Sequence, residues 1–157
     1  MATRFRFTAL AAETFAPLHA LDDASLRARG MRRMVADEKP GFPCRVSLVD
    51  AEPGETVILL PYVHHDVDSP YRGSGPIFVR EAAATATFAP GEVPALLRTR
   101  LLSLRAYDRN AMMIGCEVVE GRDLEAAIDR QFADPSAAYL HVHNARPGCF
   151  NCAVERA

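Results

Sequence analysis

The sequence predicts a single α+β domain over residues 1–157, with a largely antiparallel sheet and two or three helices. A chain of this length suits one domain with a sizeable apolar core. Segments with strand character follow one another across short turns that contain proline and glycine. Helical patterns occur only at wide intervals, whereas a doubly wound sheet alternates strands with helices. We find no internal repeat and no segment with the composition of a linker.

The N-terminal part is predicted to contain a strand followed by short helices. RFRFTAL (4–10) alternates charged and aromatic residues with the period of a half-buried strand. A short helical stretch follows it. Asp22 can cap a further helix over residues 23–29, and Gly30 stands where helices commonly end.

The middle of the chain is predicted to be extended, with turns between the strands. TVILLPYV (56–63) is the most apolar run and is predicted to be a central strand interrupted by Pro61. SPYRGSG (69–75) has the composition of a loop. Further strands are predicted at residues 32–37, 44–50 and 76–81.

The last third is predicted to mix both kinds of element. GEVPALLRTRL (91–101) can begin a helix near Pro94, because proline is tolerated in a first helical turn. Residues 103–108 and 112–119 are typical of a hairpin. LEAAIDRQF (124–132) places its apolar residues on one helical face, and AYLHVH (138–143) is predicted to be the last strand.

Composition narrows the expected partners and compartment. A formal net charge of −2 gives no field that would attract nucleic acid or an anionic membrane surface. No stretch approaches the roughly 18 apolar residues of a membrane span, and the N-terminal apolar run is too short for a signal peptide. We therefore expect a cytoplasmic protein whose four cysteines are reduced. The sequence contains no sign of its oligomeric state.

Lys39 is the only lysine, whereas the other basic residues are arginines. It can mark a position that needs an ammonium able to lose its proton. The alternative is an ordinary solvated turn residue.

Three stretches of the chain resemble a known family. They are DEKPGFPCRVSL (37–48), SPYRGSGPIFVRE (69–81) and HVHNARPGC (141–149). Together they are similar to a bacterial family of unknown function, the DUF family numbered twelve hundred and three. The resemblance implies a single bacterial domain. The family has no settled activity, so the resemblance assigns no role to any residue.

HVHNARPGCFNC (141–152) contains the densest group of metal-ligating residue types. On a strand, His141 and His143 share one face, opposite Leu140 and Val142. With Cys149 and Cys152 they have the types and number of ligands that suit structural zinc. A redox cysteine pair would need a helix beginning at Cys149, for which this stretch leaves no room. The third interpretation is two inert cysteines in a C-terminal segment packed on the sheet.

Arginines and one further thiol complete the candidate residues. Arg72 lies in YRGSG, where glycine backbone donors and a guanidinium can bind one anion; Arg45 and Arg80 are further candidates for ligand binding. Cys44 adjoins Arg45, and a nearby cation favours a reactive thiolate. His64 is a candidate ligand-binding and acid-base group. A solvated arginine and a buried inert cysteine are the alternatives.

Three hypotheses about function follow. The first is a pocket lined by histidine and arginine that binds or processes a small anionic molecule, with His141, His143 and Cys44 as the catalytic candidates. The second is a zinc-stabilised structural or interaction domain. The third is an assembly module whose sheet edge pairs with another copy.

Overall fold

The structure, a computed structural model, describes residues 2–157. It contains eight strands and three α-helices arranged in two antiparallel sheets, which confirms the predicted α+β class. The strands are β1 Phe5–Thr8, β2 Arg32–Val35, β3 Thr56–His65, β4 Gly73–Arg80, β5 Leu101–Tyr107, β6 Met113–Glu120, β7 Tyr139–Asn144 and β8 Phe150–Arg156. The helices are α1 Ala12–His19, α2 Asp23–Ala28 and α3 Leu124–Phe132, with short 3₁₀ turns at Ala95–Leu97 and Gly121–Asp123.

The larger sheet has the strand order β1-β8-β7-β5-β6, and the smaller sheet has the order β2-β3-β4. One face of the larger sheet packs on α3 through the main apolar core, which includes Leu104, Leu140 and Ile128. A second apolar cluster, including Phe15 and Ile58, joins the smaller sheet to α1 and α2. Arg45 links the two sheets, because its backbone N–H donates to the Phe78 carbonyl of β4 and its side-chain Nε donates to the Phe150 carbonyl of β8.

Several predicted elements are confirmed. The Asp22 side chain accepts a hydrogen bond from the Ser25 backbone N–H at 2.7 Å and caps α2. Gly30 follows that helix with a φ of 75°, a conformation that glycine adopts without strain. Helix α3 has the predicted bounds and buries the predicted apolar face, and the β5–β6 hairpin forms as predicted.

The strand predicted at residues 44–50 is wrong. The Leu48 backbone N–H donates to the Cys44 carbonyl, and Leu48 has a φ of 49°. The chain therefore makes a turn here, with only isolated bridges at Pro43, Cys44 and Asp50. The apolar alternation that predicted a strand reflects burial of Cys44, Val46 and Leu48 in a turn.

The helix predicted from Pro94 is limited to one 3₁₀ turn, Ala95–Leu97. The Arg100 carbonyl accepts from the Gly121 backbone N–H, and Leu101 already pairs with β6. A Cβ on Gly121 would lie 1.8 Å from the Leu97 carbonyl oxygen, so this close contact requires glycine. Sheet pairing at this point outweighs local helical preference.

Three smaller expectations also need correction. Pro61 does not interrupt β3, because it lies opposite Pro76 and beyond the end of β2, where no neighbouring strand requires its missing N–H. Gly73–Gly75 belong to β4 rather than to a loop, because they pair with β3. Strand β7 is not the last, since β8 follows and pairs with both β7 and β1.

Lys39 lies at the surface, and its ammonium pairs with the Glu52 carboxylate. This position agrees with the solvated-turn interpretation. Within residues 2–157, none of the helices is long and apolar enough to span a membrane.

Candidate functional site

The face of the larger sheet that is opposite α3 carries polar side chains from its central strands. We call it the inter-sheet face; it includes Ser103, Arg105, Tyr107, Tyr139, His141, His143 and Phe150. As predicted, His141 and His143 lie on one side of β7, while Leu140 and Val142 lie in the core on the other. Two regions of this face hold the candidate functional groups.

The first region is a histidine cluster formed by His64, His65, His141 and His143. The first two lie at the end of β3 and face the other two across the space between the sheets. Ring centroids are 5.0 Å apart for His64 and His143, and also for His65 and His141. Phe150 stacks on His64 at 5.3 Å. The fold thus gathers four of the five histidines.

Hydrogen bonding distinguishes the members of the cluster. His65 Nδ1 lies 2.8 Å from the Tyr71 carbonyl oxygen, and its Nε2 lies 2.6 Å from the Tyr139 hydroxyl, so both nitrogens have partners. His143 Nδ1 donates to the Gly148 carbonyl at 2.9 Å, which leaves its Nε2 unprotonated in the neutral ring. Within the described chain, His143 Nε2 and His141 Nδ1 are buried without a hydrogen-bond partner.

Burial determines the charge of this cluster. Desolvation, with smaller effects from neighbouring histidines and Arg105, lowers the pKa of His141 to about 3. Burial also lowers the pKa of His143 to about 4, although the hydrogen bond to Gly148 opposes the change. The pKa of His64 is lowered in the same direction. These rings are therefore neutral at pH 7 and can accept protons only at a cost in stability.

The second region is a cavity of about 660 Å³ between the sheets, which we call the arginine cavity. It lies at the end of β7 beyond His143, where β7 turns into β8. Its walls are formed by Gly41, Pro43, Arg45, Leu59, Pro76, Phe78, Thr99, Arg100, Leu101, Glu120, Asn144, Arg146, Pro147 and Cys149. The wall is thus largely apolar and also contains three guanidinium groups and one carboxylate.

Arg45 is the most unusual residue of the cavity, because its exposed fraction is only 1%. Its Nε donates to the Phe150 carbonyl at 2.7 Å, and its Nη1 donates to the Pro43 carbonyl. No carboxylate of the described residues forms an ion pair with it. Burial lowers the pKa of Arg45, and the adjacent Cys149 thiol opposes that shift. Arg45 is a buried cation without an ionised partner.

Cys149 is half-buried in the same wall. Asn144 Nδ2 donates to its sulfur at 3.1 Å, and Asn151 Nδ2 donates to Asn144 Oδ1 at 2.8 Å. The thiol therefore contacts both an amide donor and the Arg45 guanidinium.

The other two arginines of the cavity differ from Arg45. Arg100 forms a two-point ion pair with Asp50, with Nη2–Oδ1 and Nη1–Oδ2 distances of 2.6 and 3.0 Å. Arg146 is exposed at the rim and belongs to no ion pair in the part of the chain described. Of the three cavity arginines, Arg45 and Arg146 are therefore the two that have no carboxylate partner among the described residues.

The structure does not bring the four predicted zinc ligands together. Cys152 pairs with Val142 and lies in the main core, on the opposite face from His141 and His143. A bulge in the β7–β8 pairing places Phe150 and Cys152 on opposite faces of the sheet. Phe150 pairs with His143, whereas Cys152 pairs with Val142. Burial raises the pKa of Cys152 to about 12. Among residues 2–157, no three His, Cys, Asp or Glu side chains are arranged to hold a metal ion.

The side chains of Cys44 and Arg80 belong to neither region. Cys44 is fully buried in the second apolar cluster, where its sulfur accepts from the backbone N–H groups of Arg80 and Ser47. Arg80 pairs with Glu55 at 2.7 Å. The structure does not join Cys44 to a histidine base, and it gives Arg80 a carboxylate partner instead of a place in the cavity.

Arg72 occupies an exposed turn next to the histidine cluster. The Tyr71 carbonyl bonds to His65, and a Cβ on Gly73 would lie 3.1 Å from His64 Nε2, so this segment lies on the same side as the histidines. The Arg72 guanidinium, however, pairs with Asp66. Arg72 does not line the arginine cavity. The predicted pocket of histidines and arginines is thus two adjacent regions.

The sequence interpretation missed Arg105, Arg100, Asn144 and Glu120. Arg105 lies directly opposite His141 in the β5–β7 register and donates to Ser103 Oγ at 3.2 Å. The alternation in SLRAY, which has the same period as YLHVH, could have placed Ser103, Arg105 and Tyr107 on one polar face. No local pattern marks the cavity positions of Arg100 and Glu120, because they meet only through sheet pairing.

Fold and site together define an α+β protein with an arginine-lined cavity between two antiparallel sheets. The chain belongs to the family described as protein of unknown function (DUF1203), whose model matches residues 41–156. This confirms the resemblance noted in the sequence. No curated protein and no solved structure matches the chain.

Proposed function

We propose that this protein binds a small organic anion in the arginine cavity. The observation that carries the proposal is Arg45, a guanidinium with an exposed fraction of 1% and no carboxylate partner in the described chain, at the wall of a cavity of about 660 Å³. An isolated charge is costly to bury, and proteins normally pair it. An anion in the cavity would supply the missing partner.

The lining supports an organic ligand over a simple inorganic ion. Leu59, Phe78 and Leu101 offer apolar contacts, and the volume lies within the range of about 300–1,000 Å³ that is usual for small-molecule sites. Arg146 at the rim can bind the same acidic group or guide it inward. Arg100 is expected to contribute less, since Asp50 already neutralises it.

The electrostatics also favour an anion over a metal ion. Arg45 and Arg105 both act on His143 to lower its pKa, although desolvation is the larger cause. The same positive groups would repel a cation placed between the sheets. We therefore prefer the anion hypothesis to the zinc hypothesis for this region.

The test is thermal stabilisation by a panel of carboxylates and phosphate esters. At least one apolar carboxylate should raise the melting temperature of the wild-type protein in a saturable way. Arg146→Gln should weaken this stabilisation, because it removes a cavity charge from an exposed position. Arg109→Gln removes an equal charge from the exposed β5–β6 turn and should leave it unchanged. Equal loss in both variants would mean non-specific charge effects, and no stabilisation by any anion would refute the proposal.

A further inference from the structure

Glu120 is the one carboxylate in the lining of the arginine cavity. It ends the edge strand β6, is exposed, and lies opposite Leu101 in the β5–β6 register. It forms no ion pair with any residue that the structure describes. The neighbouring Glu117, by contrast, points to the other face and pairs with Arg130. The cavity thus contains an unpaired carboxylate as well as unpaired guanidinium groups.

The opposite charges are associated with strands that are not neighbours in the larger sheet. Arg45 bonds to the Phe150 carbonyl at the start of β8, and Arg146 lies in the turn between β7 and β8. Glu120 lies on β6, three strands away in the order β8-β7-β5-β6. Neighbouring strands are about 4.8 Å apart, so the backbones of β8 and β6 are roughly 14 Å apart. The long arginine and glutamate side chains shorten this gap, and Leu101 of β5 provides an apolar surface between them.

We infer that the ligand of the arginine cavity is an elongated zwitterion, with its acidic group at Arg45 and Arg146 and a cationic amine at Glu120. This inference rests on the proposed function and specifies the ligand class of the same site. An ω-amino acid with several methylene groups fits the arrangement, and so does a short peptide with free termini. An α-amino acid does not, because its two charges are too close to reach both ends.

Matched probes test the role of the amine. We would titrate hexanoate and 6-aminohexanoate into the protein by isothermal calorimetry, because the two differ only by an amine at the far end. The wild-type protein should bind 6-aminohexanoate about two- to fivefold more tightly, the size expected for one exposed ion pair. The shorter pair, butanoate and 4-aminobutanoate, should show little preference because the amine cannot reach Glu120.

Glu120→Gln should remove the preference for 6-aminohexanoate while leaving hexanoate binding intact. Glu155→Gln is the matched control, since Glu155 is an exposed strand glutamate outside the cavity lining. Its preference should equal that of the wild-type protein.

The outcomes separate this inference from the proposed function. Equal binding of hexanoate and 6-aminohexanoate would overturn the zwitterion inference and leave anion binding in place. A preference that survives Glu120→Gln, or one as large for the butanoate pair, would also overturn it. Binding of neither hexanoate nor 6-aminohexanoate would count against the inference, and the carboxylate panel would then decide whether the proposed function also fails.

Discussion

The arginine cavity and the histidine cluster are adjacent regions between the same two sheets, but burial affects the charge of their ionisable groups differently. The histidines of the cluster lose their charge on burial, as the lowered pKa of His141 and of His143 indicates. Arg45 cannot do so at any ordinary pH, because the guanidinium holds its proton too strongly. A buried group that must stay charged needs a partner from the chain or from a ligand. This difference is the reason why we propose an anion site in the cavity and not in the histidine cluster.

The largest expected effect concerns the arginine that already has a partner. Arg100→Met should destabilise the fold by about 3 kcal/mol, because it leaves the largely buried Asp50 side chain without its ion-pair partner. Arg98→Met is a useful control, since Arg98 pairs with Glu125 at a more exposed position and should cost about 1 kcal/mol or less. Urea unfolding of the two variants measures both values. A small effect of Arg100→Met would mean that Arg100 is as free for a ligand as Arg45.

Local patterns predicted the elements whose structure depends on neighbouring residues in the chain. Examples are helix α3, the capped helix α2, the β5–β6 hairpin and the shared face of His141 and His143. The bulge that turns Cys152 into the core could not be predicted, because it depends on how β8 aligns with β7. The burial of Arg45 was equally hidden, since its partner carbonyl at Phe150 is 105 residues away in the chain. Sequence therefore indicated the residue types of the site but not their separation into two regions.

Acidification should lower the free energy of unfolding through the buried histidines, whereas the guanidinium groups of the arginine cavity keep their charge. The pKa values of His141 and His143 are lowered from an unfolded value near 6.5 to about 3 and about 4. Below pH 6.5 the unfolded chain therefore binds more protons than the folded chain, so stability falls as the pH falls. Between pH 6.5 and pH 5 each histidine should cost roughly 1–2 kcal/mol.

Urea unfolding at pH 6.5 and pH 5 measures this loss, and His143→Gln should reduce it. The variant provides a contrast within the same cluster, because His141 continues to titrate. Stability that is equal at both pH values would show that the buried rings are not neutral in the folded protein.

Thiol reactivity should distinguish the accessible cysteines from the buried ones. All four cysteines are free in the structure; Cys116 is exposed and Cys149 is half-buried, whereas Cys44 and Cys152 are fully buried. A thiol reagent should modify about two cysteines in the native protein and all four after denaturation without a reductant. A cavity-binding carboxylate should slow modification of Cys149 but not of Cys116. Fewer than four thiols after denaturation would contradict the expectation of reduced cysteines.

The most direct test of the account is calorimetric titration of hexanoate into Arg45→Met, with Arg72→Met as the matched control. Both variants remove one guanidinium and keep an unbranched side chain, and circular dichroism can verify that each is folded. Arg45→Met should weaken binding about tenfold or more, because it removes charge-assisted hydrogen bonds to the ligand. Arg72→Met should bind as the wild-type protein does, since Arg72 pairs with Asp66 outside the cavity. Undiminished binding by folded Arg45→Met, or loss of binding in Arg72→Met, would contradict the claim that the arginine cavity is the anion site.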